Sequence, residues 1–183
     1  VAFFAAGREV AVASLPPVAL AAASPTPVPI GTPGVKGKIP NLKLVFVGDH
    51  NEAYARWLER FAAELGCGDM LEVVGLQPQE RVWSYIEASA VCLVPHARNP
   101  HTDTTIPNKI FQYMVRGKPV IVSDCPPLAR VALESRAGLV FRYDDPEALA
   151  RAIVDLAGAP EKRSRMGEAG RRAVMERYNW EHT

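Results

Sequence analysis

The sequence lacks the two motifs by which nucleotide-binding proteins are most often recognised. No G-x-G-x-x-G follows a strand-like run, because Gly66-Cys67-Gly68 comes at the end of a helical pattern instead. A Walker A motif is missing as well, since Gly117-Lys118 is followed by Pro119. Nicotinamide, flavin and P-loop nucleotide sites are therefore not indicated.

Cysteine and net charge are low too. The three cysteines, Cys67, Cys92 and Cys125, form no C-x-x-C pair, which argues against a disulfide framework or a zinc knuckle and favours reduced, cytoplasmic surroundings. Cys92 stands in an apolar run and is interpreted as a core thiol. With a formal net charge of +1 and no run of five basic residues, the chain is not expected to have nucleic acid as its main partner.

Long apolar runs are also missing. The longest candidate, Val10 to Ala23, contains Pro16-Pro17 and is too short and broken to cross a bilayer. Arg8-Glu9 precede it and the chain begins at Val1 without methionine, so a secretory signal is not indicated. We interpret the start as a fragment boundary.

Proline punctuates the N-terminal part and predicts the domain organisation. Four prolines and two glycines between Ser24 and Gly34 favour an extended connector. Before it, Val1 to Leu15 could form two short strands about Gly7, although the alanine content leaves a helix open. The expected division is residues 1–40, an N-terminal segment and linker that could be a remnant of another domain, and residues 41–183, an α/β domain.

From residue 42 onward, strand-like and helical patterns alternate. The predicted strands are 42–47, 71–74, 90–95, 119–123 and 138–141, and the predicted helices are 52–65, 79–89, 105–116, one opened by 145–147, and 161–178. This alternation predicts a Rossmann-like parallel sheet with helices on both faces. Ligands of such sheets bind beyond the carboxyl ends of the strands, here the loops after Val47, Val74, Pro95 and Ser123.

The most informative stretch runs from Thr104 to Ser123. Pro107 suits the first turn of a helix and Thr104 or Thr105 can cap it, so the helix is predicted to begin near Thr105. Lys109 close to that start indicates an anion site, because helix N-termini attract negative charge. The packing side is predicted to be Ile110, Phe111, Met114 and Val115, and the opposite side Lys109, Gln112, Tyr113 and Arg116.

Each candidate residue also has a plainer interpretation. The spacing of His96, His101 and Asp103 matches no metal motif, so these are expected to be polar loop residues and not metal ligands. For the loop before the helix, a ligand role and a solvated loop are equally open; its candidates are His101, Thr102, Asp103 and Thr104. Lys109 and Gln112 could likewise be solvated helix residues, or contact a phosphate and a ribose or sugar hydroxyl respectively.

From about Leu42 to Trp180 the chain resembles the C-terminal, donor-binding domain of retaining GT-B glycosyltransferases of the group 1 type. The resemblance is carried by Leu44-Val45-Phe46-Val47-Gly48, Val74-Gly75, Ala90 to Pro95, Pro107 to Val122, Gly138-Leu139-Val140, Asp145-Pro146-Glu147-Ala148-Leu149, Met166-Gly167 and Tyr178-Asn179-Trp180. Each piece is short, but their order and spacing together are specific.

The resemblance implies one half of a GT-B fold that binds a nucleotide-diphosphate sugar for transfer of a hexosyl group. The donor is a substrate, and no separate cofactor or metal is expected. The implied base contacts are Gly75, Leu76 and Gln77, the diphosphate contacts Thr105, Ile106 and Lys109, the ribose contact Gln112 and the sugar contact Thr104, with His101 and Asp103 as further candidates. The acceptor would be a glycan or a lipid-linked molecule, and the full-length parent could then associate peripherally with a membrane.

The chain departs from the family pattern in two places. Thr104 and Gln112 stand where the family has two glutamates, and the usual Arg and Lys pair is not found between Gly34 and Leu42. Ala11 to Val35 looks faintly like the end of an acceptor domain. The isolated chain is therefore expected to be inactive, and the alternatives are a non-catalytic nucleotide-sugar-binding or interaction domain and a nucleotide-sugar epimerase of the same fold.

Overall fold

A computed structural model describes residues 2–5, 11–13, 38–39, 41–48 and 52–178. The strands are β1 (Ala2–Ala5), β2 (Ala11–Ala13), β3 (Lys43–Val47), β4 (Leu71–Val74), β5 (Val91–Val94), β6 (Val120–Ser123) and β7 (Gly138–Phe141). The helices are α1 (Glu52–Glu64), α2 (Gln79–Ala88), α3 (Lys109–Val115), α4 (Pro126–Glu134), α5 (Pro146–Ala157) and α6 (Pro160–Glu176), with one 3₁₀ turn at Gly68–Met70.

The strands form a seven-stranded sheet in the order β4-β3-β1-β2-β5-β6-β7. All pairings are parallel except those of β1, which is antiparallel to β2, β3 and β5. From β2 the chain steps outward to β3 and β4, then returns to β5 and steps the other way to β6 and β7. The parallel, Rossmann-like architecture is confirmed, and its topological switch point lies between β2 and β5.

Strands β5 and β6 are buried at every residue, as continuous apolar runs predict for strands covered on both faces. Crossovers between parallel strands are right-handed as a rule. Since the chain runs in opposite directions from the centre, this rule assigns α1 to one face of the sheet and α3 and α4 to the other. Burial raises the pKa of the Cys92 thiol to about 12, which fits its interpretation as a core residue.

Helix α4 is the one long element that the sequence analysis missed. Its signals are present in the sequence: Pro126 and Pro127 occupy its first turn, and Leu128, Val131 and Ala132 recur at helical spacing. All three of those apolar residues are buried. The helix has only nine residues and lies between two apolar strands, so its helical spacing is a weak signal in the sequence.

Helix α6 packs closely against α3 and thereby fixes its position. A Cβ added to Gly167 would lie 1.9 Å from the carbonyl oxygen of Gly117, so only glycine allows this approach. Gly117 itself has φ +67°, the left-handed conformation of a helix stop, and it follows Arg116, the predicted last residue of this helix. At the other end of the contact, the rings of Phe111 and Tyr178 lie 5.2 Å apart.

The N-terminal part contributes the two short strands expected on either side of Gly7. They pair within the same sheet as β3 and β5. The domain boundary near residue 40 stays a prediction, and the proline-rich connector and Trp180 lie outside the described residues. In the part of the chain that is described, no helix has the length and apolar character needed to cross a membrane.

Candidate functional site

The carboxyl ends of the strands bring five loops to one edge of the sheet. Two hydrogen bonds join neighbouring loops: the N–H of Gly48 after β3 donates to the carbonyl of Val74 (3.2 Å), and the N–H of Tyr143 after β7 donates to Oδ1 of Asp124 after β6 (3.0 Å). The longest loop follows β5 and spans residues 95–108. The predicted loop cluster is therefore present at the switch-point edge.

The loop after β5 is held by its own side chains. Oδ1 of Asn99 accepts the N–H groups of His101 (2.9 Å) and Thr102 (3.0 Å). The Thr102 hydroxyl donates to the carbonyl of Ala97 (2.8 Å). This Asx turn gives the segment a defined shape although it lies at the surface.

Thr104 and Thr105 do not cap a helix, and the prediction that a helix begins near Thr105 is wrong. The Thr104 hydroxyl donates to the carbonyl of Pro100 (2.9 Å) and that of Thr105 to the carbonyl of His101 (2.8 Å), so both face backward into the preceding turn. The pyrrolidine ring of Pro107 disfavours helical backbone at the residue before it. Helix α3 accordingly begins at Lys109 and has only seven residues.

Arg98 and Asp103 form a bidentate ion pair across this loop. Nε of Arg98 donates to Oδ1 (3.0 Å) and its Nη2 to Oδ2 (2.9 Å). The pairing lowers the pKa of Asp103 and raises that of Arg98. Both carboxylate oxygens of the predicted sugar contact Asp103 are thus bound to a residue that the sequence analysis did not single out.

Lys109 is a half-buried cation at the first position of α3. Burial lowers the pKa of its ammonium group to about 8. Its charge is therefore present at neutral pH but is poorly solvated, and a bound anion would favour it. Lys109 is therefore suited to the predicted contact with a phosphate. The reason is its poorly solvated ammonium group and not the dipole of the short helix.

His96 lies beside Lys109 and is neutral at pH 7. Burial, with the positive charges of Lys109 and His101, lowers its pKa to about 4. Its Nε2 is enclosed, with no hydrogen-bond partner among the described residues. Its backbone is fixed, since its N–H donates to the carbonyl of Val94 (3.1 Å) and its carbonyl accepts from Sγ of Cys125 (3.8 Å).

The faces of α3 differ in one residue from the prediction. Tyr113 was expected on the polar side, but it is fully buried together with Ile110 and Met114. These positions follow the i, i+3, i+4 spacing of a single helix face, and Phe111 lies at its margin against Tyr178. Gln112 is exposed, so its side chain is accessible to a ligand such as the predicted ribose.

The loop after β4 carries the predicted base contacts. Leu76 is 75% exposed, and a Cβ added to Gly75 would meet no atom within 4 Å, so this backbone is open to a ligand. Gln77 is half-buried. Because β3, β1 and β2 lie between β4 and β5, the two loops are several strand spacings of ~4.8 Å apart. A ligand contacting both loops must be extended.

A metal centre finds no support in the described part of the chain. Within residues 38–39, 41–48 and 52–178, no group of three or more His, Cys, Asp or Glu side chains could hold an ion. His96, His101 and Asp103 do not form such a group.

Comparison with protein-family models matches residues 33–173 to the family described as glycosyl transferases group 1. D-inositol 3-phosphate glycosyltransferase of Streptomyces scabiei is 27% identical over 124 residues, which cover 68% of this chain and 26% of that protein. The GDP-mannose-dependent alpha-(1-6)-phosphatidylinositol monomannoside mannosyltransferase of Mycolicibacterium smegmatis is 23% identical over 150 residues, 81% of this chain and 39% of that protein. The chain thus spans between a quarter and two fifths of these relatives.

Solved structures of glycosyltransferases have the same fold. Sucrose-phosphate synthase from Thermosynechococcus elongatus superposes with a TM-score of 0.66 and 29% identity, covering 75% of this chain and 34% of that one. HepE from Anabaena, in complex with UDP, superposes with a TM-score of 0.71 and 16% identity, covering 92% of this chain and 44% of that one. A further structure of HepE contains UDP-glucose. The chain belongs to the glycosyl transferases group 1 family, and its α/β sheet is one half of a GT-B fold.

Proposed function

We propose that this domain binds a nucleotide-diphosphate sugar and serves as the donor-binding half of a hexosyltransferase. The observation that carries the proposal is the placement of Lys109. This poorly solvated cation lies at the switch-point edge of the sheet, immediately after the ordered loop that follows β5. Family membership supports a sugar-nucleotide as the anion, because the relatives named above are glycosyltransferases.

The proposed ligand spans the edge of the sheet. Its base would lie at Gly75, Leu76 and Gln77, its ribose at Gln112 and its diphosphate at Thr105, Ile106 and Lys109. Thr104 would meet the sugar through its backbone, since its hydroxyl is bound to the carbonyl of Pro100. An extended diphosphate ligand suits the separation of the β4 and β5 loops.

The chemistry of transfer would rest on the departing diphosphate. Breaking the bond between the sugar and the phosphate oxygen leaves negative charge on that oxygen, and a cation held in a poorly solvated site stabilises it. Lys109 is the described side chain suited to this role. Transfer to a glycan or lipid-linked acceptor by the whole protein is part of the proposal, because the chain spans less than half of its curated relatives.

Calorimetry with UDP-glucose and GDP-mannose tests the proposal on the chain itself. We expect weak binding of at least one of them, and a loss of about tenfold or more in Lys109→Ala, because a charge-assisted bond to phosphate is lost. Lys43→Ala is the matched control: Lys43 is exposed at the opposite edge of the sheet, where its Nζ donates to the carbonyl of Asp69 (2.6 Å).

Two results would contradict the proposal. One is wild-type protein that binds neither nucleotide sugar. The other is equal loss of affinity in the Lys109 and Lys43 variants while circular dichroism shows both folded, because a general charge effect would then explain the binding.

A further inference from the structure

The side chain of His96 has a buried polar atom that the fold does not satisfy. Its Nε2 is enclosed by the protein and has no hydrogen-bond partner among the described residues. An enclosed, unpaired polar group has lost its hydrogen bonds to water without replacing them, which destabilises the free protein. An unpaired buried group of this kind does not stabilise the free protein, so it calls for another explanation. A ligand that forms a hydrogen bond with it would restore the missing interaction.

The surroundings of His96 are basic. Lys109 on α3 and His101 in the same loop lie close enough for their positive charge to act on its ring. The thiol of Cys125, at the N-cap of α4, donates to the carbonyl oxygen of His96 (3.8 Å).

Two carboxylates near this loop are bound to groups outside the imidazole of His96. Asp103 is bound through both oxygens to Arg98, and Oδ1 of Asp124 accepts the N–H of Tyr143. These hydrogen bonds join the two carboxylates to groups other than the imidazole of His96, so the unpaired Nε2 is the feature that points to a ligand.

We propose that His96 is a further donor-binding residue, whose Nε2 donates a hydrogen bond to an oxygen of the diphosphate held beside Lys109. This inference rests on the proposed function and adds a second side chain to it. Because Nε2 is enclosed in the free protein, the bond requires the ring to turn toward the ligand, while the backbone contacts of His96 hold the residue in place. The neutral imidazole can make this bond with its single proton on Nε2. The negative charge of the diphosphate beside the ring favours the imidazolium, so binding also raises the pKa of His96.

Nuclear magnetic resonance of the full 183-residue chain tests the proposal directly. The probe is UDP-glucose, whose diphosphate is esterified at both ends and lacks the proton that a phosphate monoester loses near pH ~6. The signal of His96 is assigned by its disappearance in His96→Gln. We expect the pKa of His96 to rise from about 4 in the free protein to above about 6 in the saturated complex.

A pair of variants distinguishes a contact at Nε2 from simple packing. The amide nitrogen of His96→Gln lies near the position of Nε2, whereas that of His96→Asn lies near Nδ1. We expect affinity for UDP-glucose to fall by less than about threefold in His96→Gln and by about tenfold in His96→Asn, a difference of one hydrogen bond. Thermal melting of both variants verifies that they fold.

The outcomes separate this inference from the proposed function. If UDP-glucose binds but the pKa of His96 stays near 4, or if both variants lose affinity equally, His96 is not a donor contact while the proposed function stands. If neither UDP-glucose nor GDP-mannose binds at all, the proposed function fails and this inference fails with it.

Discussion

The guanidinium of Arg98 and the carboxylate of Asp103, five residues apart, face each other with two parallel hydrogen bonds of 3.0 and 2.9 Å. This ion pair joins two side chains of the loop between β5 and α3. In the same loop, the side chain of Asn99 accepts hydrogen bonds from the backbone. A segment that sequence alone marks as polar and exposed is thus held in one conformation at the edge where the donor is proposed to bind.

Breaking this pair is expected to weaken donor binding without unfolding the chain. Asp103→Asn removes the charge and one of the two parallel bonds, so the loop samples other conformations and affinity for UDP-glucose falls several-fold. Hydrogen exchange of the loop amides and calorimetry measure the two effects together. Arg98→Lys, which keeps the charge but not the fork, should give a similar loss; an unchanged exchange pattern in both variants would refute this account.

Affinity for the donor should decrease as the pH rises. The pKa of Lys109 in the free protein is about 8 instead of 10.5, so its charge is lost in the window just above neutrality, and with it the bond to phosphate. Between about pH 7 and about pH 8.8 the affinity for UDP-glucose should fall up to about sixfold, measured by calorimetry. Lys109→Arg stays protonated throughout and should flatten the profile; a steep profile in that variant would assign the dependence to another group.

Gln112→Glu is expected to raise the affinity for a nucleotide. The carboxylate accepts charge-assisted bonds from ribose hydroxyls, whereas the amide accepts neutral ones. Its negative charge near the phosphates offsets part of the gain, so we expect on the order of 1 kcal/mol. Pyrophosphate, which has no ribose, is the control ligand: equal responses to both ligands, or none to either, would make Gln112 a solvated helix residue.

Gly167→Ala should destabilise the domain strongly. Its new Cβ would lie 1.9 Å from the carbonyl oxygen of Gly117, and backbone cannot yield as a flexible side chain can. We expect a loss of about 3 kcal/mol in the free energy of unfolding, measured with urea. Gly158→Ala is the matched control, because its nearest neighbour, the carbonyl oxygen of Val154, lies at 3.6 Å. Equal stability of the two variants would mean that α6 is free to shift away from α3.

Most of the sheet could be predicted because the central strands are continuous apolar runs, which indicate burial on both faces. Strands β5 and β6, predicted at 90–95 and 119–123, are buried at every residue, since an apolar run between turn residues has one stable place in an α/β protein. The start of α3 could not be predicted from capping residues. Threonine hydroxyls bond carbonyls as readily as amides, and the local turn of the loop decided which.

The position of the candidate loops at the carboxyl ends of the strands could be predicted from the sequence, but the hydrogen bonds within them could not. The position of Lys109 follows from its place after β5, whereas the bond between Arg98 and Asp103 depends on how the loop folds back. No pattern of residue types in the sequence specifies how the loop folds back to bring these two side chains together. Similarly, Nε2 of His96 has no hydrogen-bond partner among the described residues because of the groups that surround the ring in the fold. A single sequence does not reveal which groups those are.

Helix α3 is fastened near both of its ends. Its carboxyl end meets α6 at the contact between Gly117 and Gly167, and its amino half meets Tyr178 through Phe111. A helix of two turns that is fixed in this way cannot roll or slide by a fraction of a residue. Any adjustment that accompanies the proposed binding at Lys109 must therefore be taken up by the loop before it, so this segment, and not the helix, would set how far the proposed site can adapt to different sugars.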